Sequence, residues 1–365
     1  MLRHLARVIA AAGGWLPFDR YMHEALYAPG LGYYARGERV FGQLPPMGTS
    51  KGSDFVTAPE LSPLFGRALA VQVEQALQAT GCDEVWEFGA GSGALAAELL
   101  ATLSERVRRY HVVEVSAGLR ARQAERLQPW AHQLDWVQAL PPQLQGVLIG
   151  NEVLDAMPVQ LLHFDGERWL ERGVVMEGEG EGAGARLAWQ DRPTERRPPA
   201  ERGVFLPGAV TEVHPQAEAF VRTLADRLQR GAAFFIDYGF PEHEYYHPQR
   251  HGGTLMCHRG HVADTEALAD PGDKDITAHV NFSAVALAGQ DAGLQVLGYT
   301  SQARFLINCG LPALLAAADV RAQVAAQPLV LEHEMGELFK VIGFAAAATP
   351  FDAIGFAAGD RSHTL

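Results

Sequence analysis

The residues best placed to do chemistry lie in Val85-Trp86-Glu87-Phe88-Gly89-Ala90-Gly91-Ser92-Gly93. An acid near a strand end, three alternating glycines and a helix-forming run follow one another. Glycines lacking Cβ let the backbone turn sharply and lie close to a ligand at a helix N-terminus. In a nucleoside-binding α/β protein, a carboxylate for the ribose hydroxyls is then expected at the tip of the second strand, roughly 20 residues on. Glu114 stands at that distance, and Ser116 follows it. A third group is Asn151-Glu152-Val153-Leu154-Asp155. Its position predicts the end of another strand, where side chains face the ligand crevice. Further on, Asp237-Tyr238-Gly239 and Asp275-Ile276-Thr277-Ala278-His279 add polar groups.

Two ligands compete for the glycine loop. Gly91, Gly93 and Ala96 also fit a dinucleotide fingerprint, G-x-G-x-x-A. A pyrophosphate there would be repelled by Glu87, however, whereas the ammonium and sulfonium of S-adenosylmethionine would be attracted to it. The ligand logic therefore favours the methyl donor over a nicotinamide cofactor, with a ligand-free turn as the plain alternative. Glu87, Gly89, Gly91, Gly93, Glu114, Ser116 and Asn151 are the expected cofactor residues, with Thr57, Pro59 and Glu60 closing over them. Glu152, Asp155, Asp237 and Tyr238 are the expected catalytic group. Carboxylates beside an acceptor nitrogen suit a guanidinium, which takes a two-point clamp and must lose a proton. Asn151 or Asp155 could instead be a helix cap, and Asp237 could satisfy local backbone donors. His279 is a candidate base or a structural histidine.

The elements that must carry these groups follow from the hydrophobic pattern. Helices are predicted up to Ala12 and from Ser62 to Ala79. Alternating strands and helices then begin: strands at 85–88, 110–115, 134–137, 147–149 and 232–236, with helices at 94–103, up to 127 and at 215–228. Residues 159–208 read as an antiparallel β insertion containing the exposed loop EGEGEGAGA. The last third predicts a helix at 282–292, a strand at 294–299, one helix at 302–315 and a strand at 338–344. The fold class is α/β: a seven-stranded Rossmann-like sheet with five parallel strands and an edge hairpin. The divisions are a helical N-terminal cap (1–80), a core (81–158 and 209–346), the insertion and a tail (347–365).

The chain has 365 residues and a formal net charge of −13, is 48% hydrophobic and contains three cysteines. An acidic chain is a poor match for nucleic acid, and the cysteines are too few for a disulfide framework. No apolar run is long enough to span a bilayer. The N-terminal MLRHLARVIAAAGGWLPF has the Arg, Ala and low acidity of a transit peptide but reads as a helix of the folded protein, and with the sparse cysteines pointing to a reducing compartment the expected setting is cytoplasmic. His243, His247, His251, His258 and His261 with Cys257 lack a recognised ligand spacing, and no metal is expected. No G-x-S-x-G elbow is present.

Together these blocks resemble the MidA-like methyltransferases, which include the mitochondrial complex I assembly-factor protein arginine methyltransferase. The resemblance spans nearly the whole chain. It rests on Phe18 with Tyr21-Met22, Ala25-Leu26-Tyr27-Ala28-Pro29-Gly30-Leu31-Gly32-Tyr33-Tyr34, and Asp54-Phe55-Val56-Thr57-Ala58-Pro59-Glu60-Leu61-Ser62 with Phe65-Gly66. It continues through Glu87 to Gly93, Val113-Glu114-Val115-Ser116 with Leu119-Arg120 and Gln123, and Asn151 to Val159. Ile236 to Gly239, Gly253-Thr254-Leu255, Asp275 to Phe282, and Gln302 with Phe305-Leu306 complete it. Ser53 and Asn281 depart from the usual glycine and aspartate. The resemblance implies a class I methyltransferase fold with S-adenosylmethionine as cofactor and, through its mitochondrial members, an arginine-bearing protein as partner; the acidic net charge is compatible with a basic one. A non-catalytic scaffold of the same fold is the alternative.

Overall fold

The computed structural model describes residues 1–35, 57–178, 185–200, 205–260 and 262–365. Ser53 to Val56, most of the EGEGEGAGA loop and His261 lie outside the described residues. The chain opens with α1 (Leu2–Ala11), β1 (Leu16–Pro17) and α2 (Phe18–Tyr27), then α3 (Ala58–Leu61) and α4 (Pro63–Thr80). Each boundary of α4 has a local cause. Ser62 Oγ accepts from the Leu64 N–H, Pro63 supplies a fixed φ at the first position, and Gly81 at φ +65° ends the helix.

From there strands and helices alternate: β2 (Glu84–Phe88), α5 (Ala94–Leu103), β3 (Arg109–Val113), α6 (Ala117–Arg126), β4 (Leu134–Val137) and β5 (Leu144–Asn151). Four antiparallel strands follow, β6 (Gln160–Phe164), β7 (Trp169–Glu177), β8 (Arg186–Pro193) and β9 (Val210–Val213), before α7 (Pro215–Arg227) and β10 (Leu228–Phe240) resume the core. The rest comprises α8 (Glu242–Tyr245), β11 (Met256–Arg259), β12 (Val262–Asp264), β13 (Asp275–Thr277), β14 (Val280–Asn281), α9 (Phe282–Asp291) and β15 (Leu294–Ser301). It closes with α10 (Gln302–Asn308), α11 (Leu311–Ala317), α12 (Val320–Ala326), α13 (Met335–Leu338) and β16 (Phe339–Ala346).

The main sheet runs β15-β16-β10-β5-β2-β3-β4, with β14 added beside the end of β10. Among the described residues, β16 runs antiparallel to both of its neighbours, β15 and β10, so six long strands share one direction where five were expected. The expected edge hairpin is not a hairpin: α10 to α13 separate its strands, and β16 slots between β15 and β10. Side chains alternate across the sheet as strand geometry requires. Val85, Val147, Ile149, Phe234 and Ile236 face α4 and α5, while Trp86, Leu148, Ala233 and Phe235 face α7 and α9. Helices therefore cover both faces of a parallel sheet whose strands are apolar on both sides.

The N-terminal 80 residues divide between two cores. Leu64, Phe65, Leu69, Val73 and Leu77 of α4 belong to the main core, whereas α1 and α2 pack Leu5, Ile9, Phe18, Tyr21, Met22 and Leu26 against Leu161 and Val174. That second core belongs to the sheet β1-β7-β6-β9, with β8 paired to β7. The inserted sheet thus takes in β9 and recruits β1 from the start of the chain. Two other differences have local causes. The single helix expected over 302–315 breaks at Gly310, whose φ is +84°. The polar stretch before Thr277 holds α8 and the small sheet β12-β11-β13, strands too short and polar to register as alternation.

Candidate active site

The ends of β2, β3, β5 and β10 bring the sequence-predicted groups to one edge of the sheet. Gly89, Gly91 and Gly93 adopt φ values of +61°, +53° and +82°, the left-handed region that a side chain disfavours. Space is also closed at Gly89, where a Cβ would lie 2.8 Å from Val153 Cγ1. Gly93 caps α5, so the loop leads into a helix N-terminus. Beneath it, Glu87 accepts a hydrogen bond from the buried Tyr110 hydroxyl at 2.6 Å. Burial raises the Glu87 carboxyl to about 7, against the lowering effect of that bond.

Thr57, Pro59 and Glu60 stand across this loop on α3 and its entry. Thr57 precedes the helix and Pro59 lies in its first turn. Glu60 accepts from Ser92 Oγ inside the glycine loop and from Arg126 Nη1 at 3.1 Å; Arg126 also reaches Ser92 Oγ at 2.7 Å. The Ala58 N–H lies close enough to Glu152 to lower the pKa of its carboxyl. The short α3 therefore touches both the glycine loop and the tip of β5.

Glu114 lies just beyond β3. Its Oε1 accepts from the Ser116 N–H at 2.7 Å and its Oε2 from Gln123 Nε2 at 3.3 Å. Burial raises its pKa against these donors. Ser116 has a local duty: its Oγ caps α6 by accepting from the Leu119 N–H at 3.4 Å.

At the tip of β5, Asn151 Nδ2 donates to Glu152 Oε1 at 3.0 Å, and Asn151 Oδ1 is buried without a partner. Glu152 holds φ +55°, uncommon for a residue with a side chain and a mark of local strain. Its carboxyl is raised to about 8, first by desolvation and then by the Asp155 charge. Asp155 is buried; one oxygen accepts from the Tyr238 hydroxyl, and Oδ1 has no partner. Its pKa is also raised by burial.

Asp237 is placed differently from the expected far wall of an acceptor pocket. It is 0% exposed, and its Oδ2 accepts from the N–H groups of Val153, Leu154 and Asp155 at 3.1, 2.9 and 3.3 Å. Its Oδ1 accepts from the Tyr238 N–H at 3.0 Å. The carboxylate is spent on holding the turn that carries Glu152 and Asp155. It positions these residues and presents nothing to an acceptor.

Tyr27, Tyr34 and Glu212, to which the sequence reading gave no site role, reach this place beside the candidate residue His279. Tyr34 donates to Asp275 Oδ1 at 2.8 Å, and Tyr27 donates to the Ala156 carbonyl at 2.9 Å; their rings stack at 5.5 Å. The N-terminal segment is thereby tied across the acidic cluster. The ring of His279 stands edge-on to Tyr238 at 5.1 Å, its backbone N–H held by Thr254 Oγ1 at 3.1 Å. Burial first, then the nearby Arg250 and Lys340, lower His279 to about 4, which makes it a weak proton acceptor. Behind it, buried Glu212 accepts from the N–H groups of Thr254 and Leu255 and from the Tyr245 hydroxyl. A spacing rule could not link residues so far apart along the chain. Among the described residues, no three His, Cys, Asp or Glu side chains are grouped to hold a metal.

Comparison with known proteins identifies the family. Residues 68–300 match a family described as S-adenosyl-L-methionine-dependent methyltransferases. A crystal structure from Burkholderia thailandensis, solved bound to S-adenosyl-homocysteine, is 50% identical over 100% of this chain and 96% of its own, with a TM-score of 0.92. Among curated proteins, "Protein arginine methyltransferase NDUFAF7, mitochondrial" from Danio rerio is 29% identical, covering 93% of this chain and 85% of its own length. The Homo sapiens protein of that name is 28% identical, over 89% of this chain and 75% of its own. These relatives are named as mitochondrial, which overturns the cytoplasmic setting expected from the sequence. No helix among the described residues is long and apolar enough to cross a membrane.

The residues present fit the cofactor. A cradle closed to Cβ at Gly89, a helix N-terminus at Gly93 and a carboxylate at the second strand tip meet the needs of an adenosyl amino acid. The chain belongs to this family of S-adenosylmethionine-dependent methyltransferases, and S-adenosylmethionine is its cofactor.

Proposed function

We propose that the chain methylates a guanidinium nitrogen of an arginine in a protein substrate, with Glu152 and Asp155 as its clamp. The observation carrying this reading is the pair of protein-enclosed carboxylates with raised pKa values and unmatched acceptors, Asp155 Oδ1 and the adjoining Asn151 Oδ1. Such groups call for a multi-donor cation, and a guanidinium offers five N–H donors in a planar fork. Its arrival would lower both carboxyl pKa values by the attraction of opposite charges. The names of the curated relatives support the same acceptor.

In this reading Gly89, Gly91 and Gly93 cradle the methionine end of the cofactor, with Glu87 beneath it. Glu114 takes the ribose, and the segment from Thr57 to Glu60 covers the site with Asn151 at its floor. When bound, S-adenosylmethionine supplies an electrophilic methyl group on a cationic sulfur. Glu152 and Asp155 orient the acceptor nitrogen in line with that methyl, where positioning supplies most of the rate. Transfer of that methyl to the nitrogen would release S-adenosylhomocysteine, and Glu152, which burial makes the better proton acceptor, would take the surplus guanidinium proton. Tyr238 orients Asp155 through its hydroxyl, while Asp237 holds the backbone from which both acids project.

The test separates binding from turnover. Glu152→Gln and Asp155→Asn should retain S-adenosylhomocysteine affinity by calorimetry yet lose about a hundredfold or more in methyl transfer. Turnover that survives both substitutions would refute the clamp. A scaffold without catalysis would incorporate no label from methyl-labelled S-adenosylmethionine into any lysate protein.

A further inference from the structure

We infer that Gln123, on α6, is the positioning residue that couples the two halves of the cofactor site. It acts on the ligand through Glu114 and Gly91 and does not touch it. Gln123 is fully buried and its amide is completely used. Nε2 donates to the Gly91 carbonyl at 3.0 Å and to Glu114 Oε2 at 3.3 Å, and Oε1 accepts from Trp136 Nε1 at 3.0 Å. The partners fix the amide orientation by their chemistry. Indole N–H can only donate, whereas a carbonyl and a carboxylate can only accept. A glutamate there would lack the donors, and an aliphatic residue would leave the buried Gly91 carbonyl and Glu114 Oε2, together with the half-buried Trp136 N–H, without this partner.

This bracket addresses a weakness of the glycine loop. Three residues at positive φ have no side chains with which to lock themselves in place. Gln123 pins the loop from behind, and its Cγ lies 3.6 Å from where a Gly93 Cβ would stand. The same amide nitrogen holds Glu114, whose other oxygen is held by the Ser116 N–H at the start of the same helix. Loop, ribose carboxylate and α6 are thus one mechanical unit. Each Glu114 oxygen can accept two hydrogen bonds, so each retains capacity for a ribose hydroxyl.

The experiment is calorimetric titration of the purified chain with S-adenosylhomocysteine and with its 2′-deoxyribose analogue, alongside thermal melts. Gln123→Met keeps the length of the side chain and removes its polar contacts. It should weaken S-adenosylhomocysteine about tenfold to a hundredfold. It should also shrink the preference over the 2′-deoxy ligand, which a merely structural role would leave intact. In a Glu114→Ala background, the same exchange should cost clearly less than it does alone, because coupled residues are not additive. Full additivity, or undiminished affinity in a folded Gln123→Met chain, would overturn the coupling. Undiminished binding by Glu114→Ala would overturn the ribose role of Glu114 and the coupling with it. If Gln123→Met does not fold, Trp136→Phe decides the question by removing only the donor that orients the amide. Several-fold weaker binding supports the coupling, and unchanged binding overturns it.

Discussion

Glu152 is the residue whose ionisation most directly governs the proposed chemistry. With its carboxyl raised to about 8, it is largely protonated at neutral pH in the free protein and gains its charge only as pH rises. The expected outcome is that kcat/KM climbs through about pH 8, a limb absent from any residual activity of Glu152→Gln. A profile flat from pH 6 to 9 would contradict it. Glu87 gives a stability prediction of related origin. A carboxyl raised from 4.5 to about 7 contributes stability that is whole below its unfolded pKa and is lost as pH rises through 7. Glu87→Gln keeps an acceptor for Tyr110 and cannot ionise. Its Tm relative to wild type should therefore increase between pH 5 and 8. Asp237→Ala removes the acceptor of four backbone N–H groups, those of Val153, Leu154, Asp155 and Tyr238, and should cost about 3 kcal/mol or more in denaturant unfolding. The residue types were legible in the sequence, but their division of labour was not. Asp237 and Asp155 both end up beside strand tips, and only the hydrogen bonds reveal that one carboxylate serves the backbone while the other keeps an open oxygen.

The elements were more legible than the contacts between them. β2, α5, β3, α6, β4 and β5 follow from apolar runs and capping residues, because a parallel sheet buried on both faces writes its strands as continuous hydrophobic text. Ala94–Leu103 and Leu134–Val137 fall where the pattern put them. By contrast, β11, β12 and β13 are short, lie among polar residues and are defined by pairing, which periodicity does not register. In the proposed reading, cofactor binding turns on the glycine loop. Gly89→Ala must adopt φ +61° and push a Cβ to within 2.8 Å of Val153 Cγ1. It should destabilise the fold by roughly 1–2 kcal/mol and abolish detectable S-adenosylhomocysteine binding in calorimetry. Retained affinity would mean that the loop does not cradle the ligand.

At the scale of the molecule, a methyltransferase sheet and an inserted antiparallel sheet share one chain, and the N-terminal segment crosses between them. Tyr27 and Tyr34 fasten α2 and the turn after it to Ala156 and Asp275, so the inserted half contributes a wall to the acidic cluster. Sequence patterning could not reveal this, since the partners are separated by more than a hundred residues. A net charge of −13 favours approach of a basic partner, and salt screens such attraction. KM for an arginine-bearing protein substrate should accordingly rise with ionic strength while S-adenosylhomocysteine affinity stays nearly constant; equal salt dependence of both would argue against steering. The acceptor is the central claim, and one measurement addresses it most directly. Purified chain is incubated with methyl-labelled S-adenosylmethionine and lysate from cells lacking the protein, and the labelled proteins are hydrolysed to amino acids. The account predicts label in methylarginine with wild type and none with Asp155→Asn. Label confined to another amino acid, or to no protein at all, would contradict it.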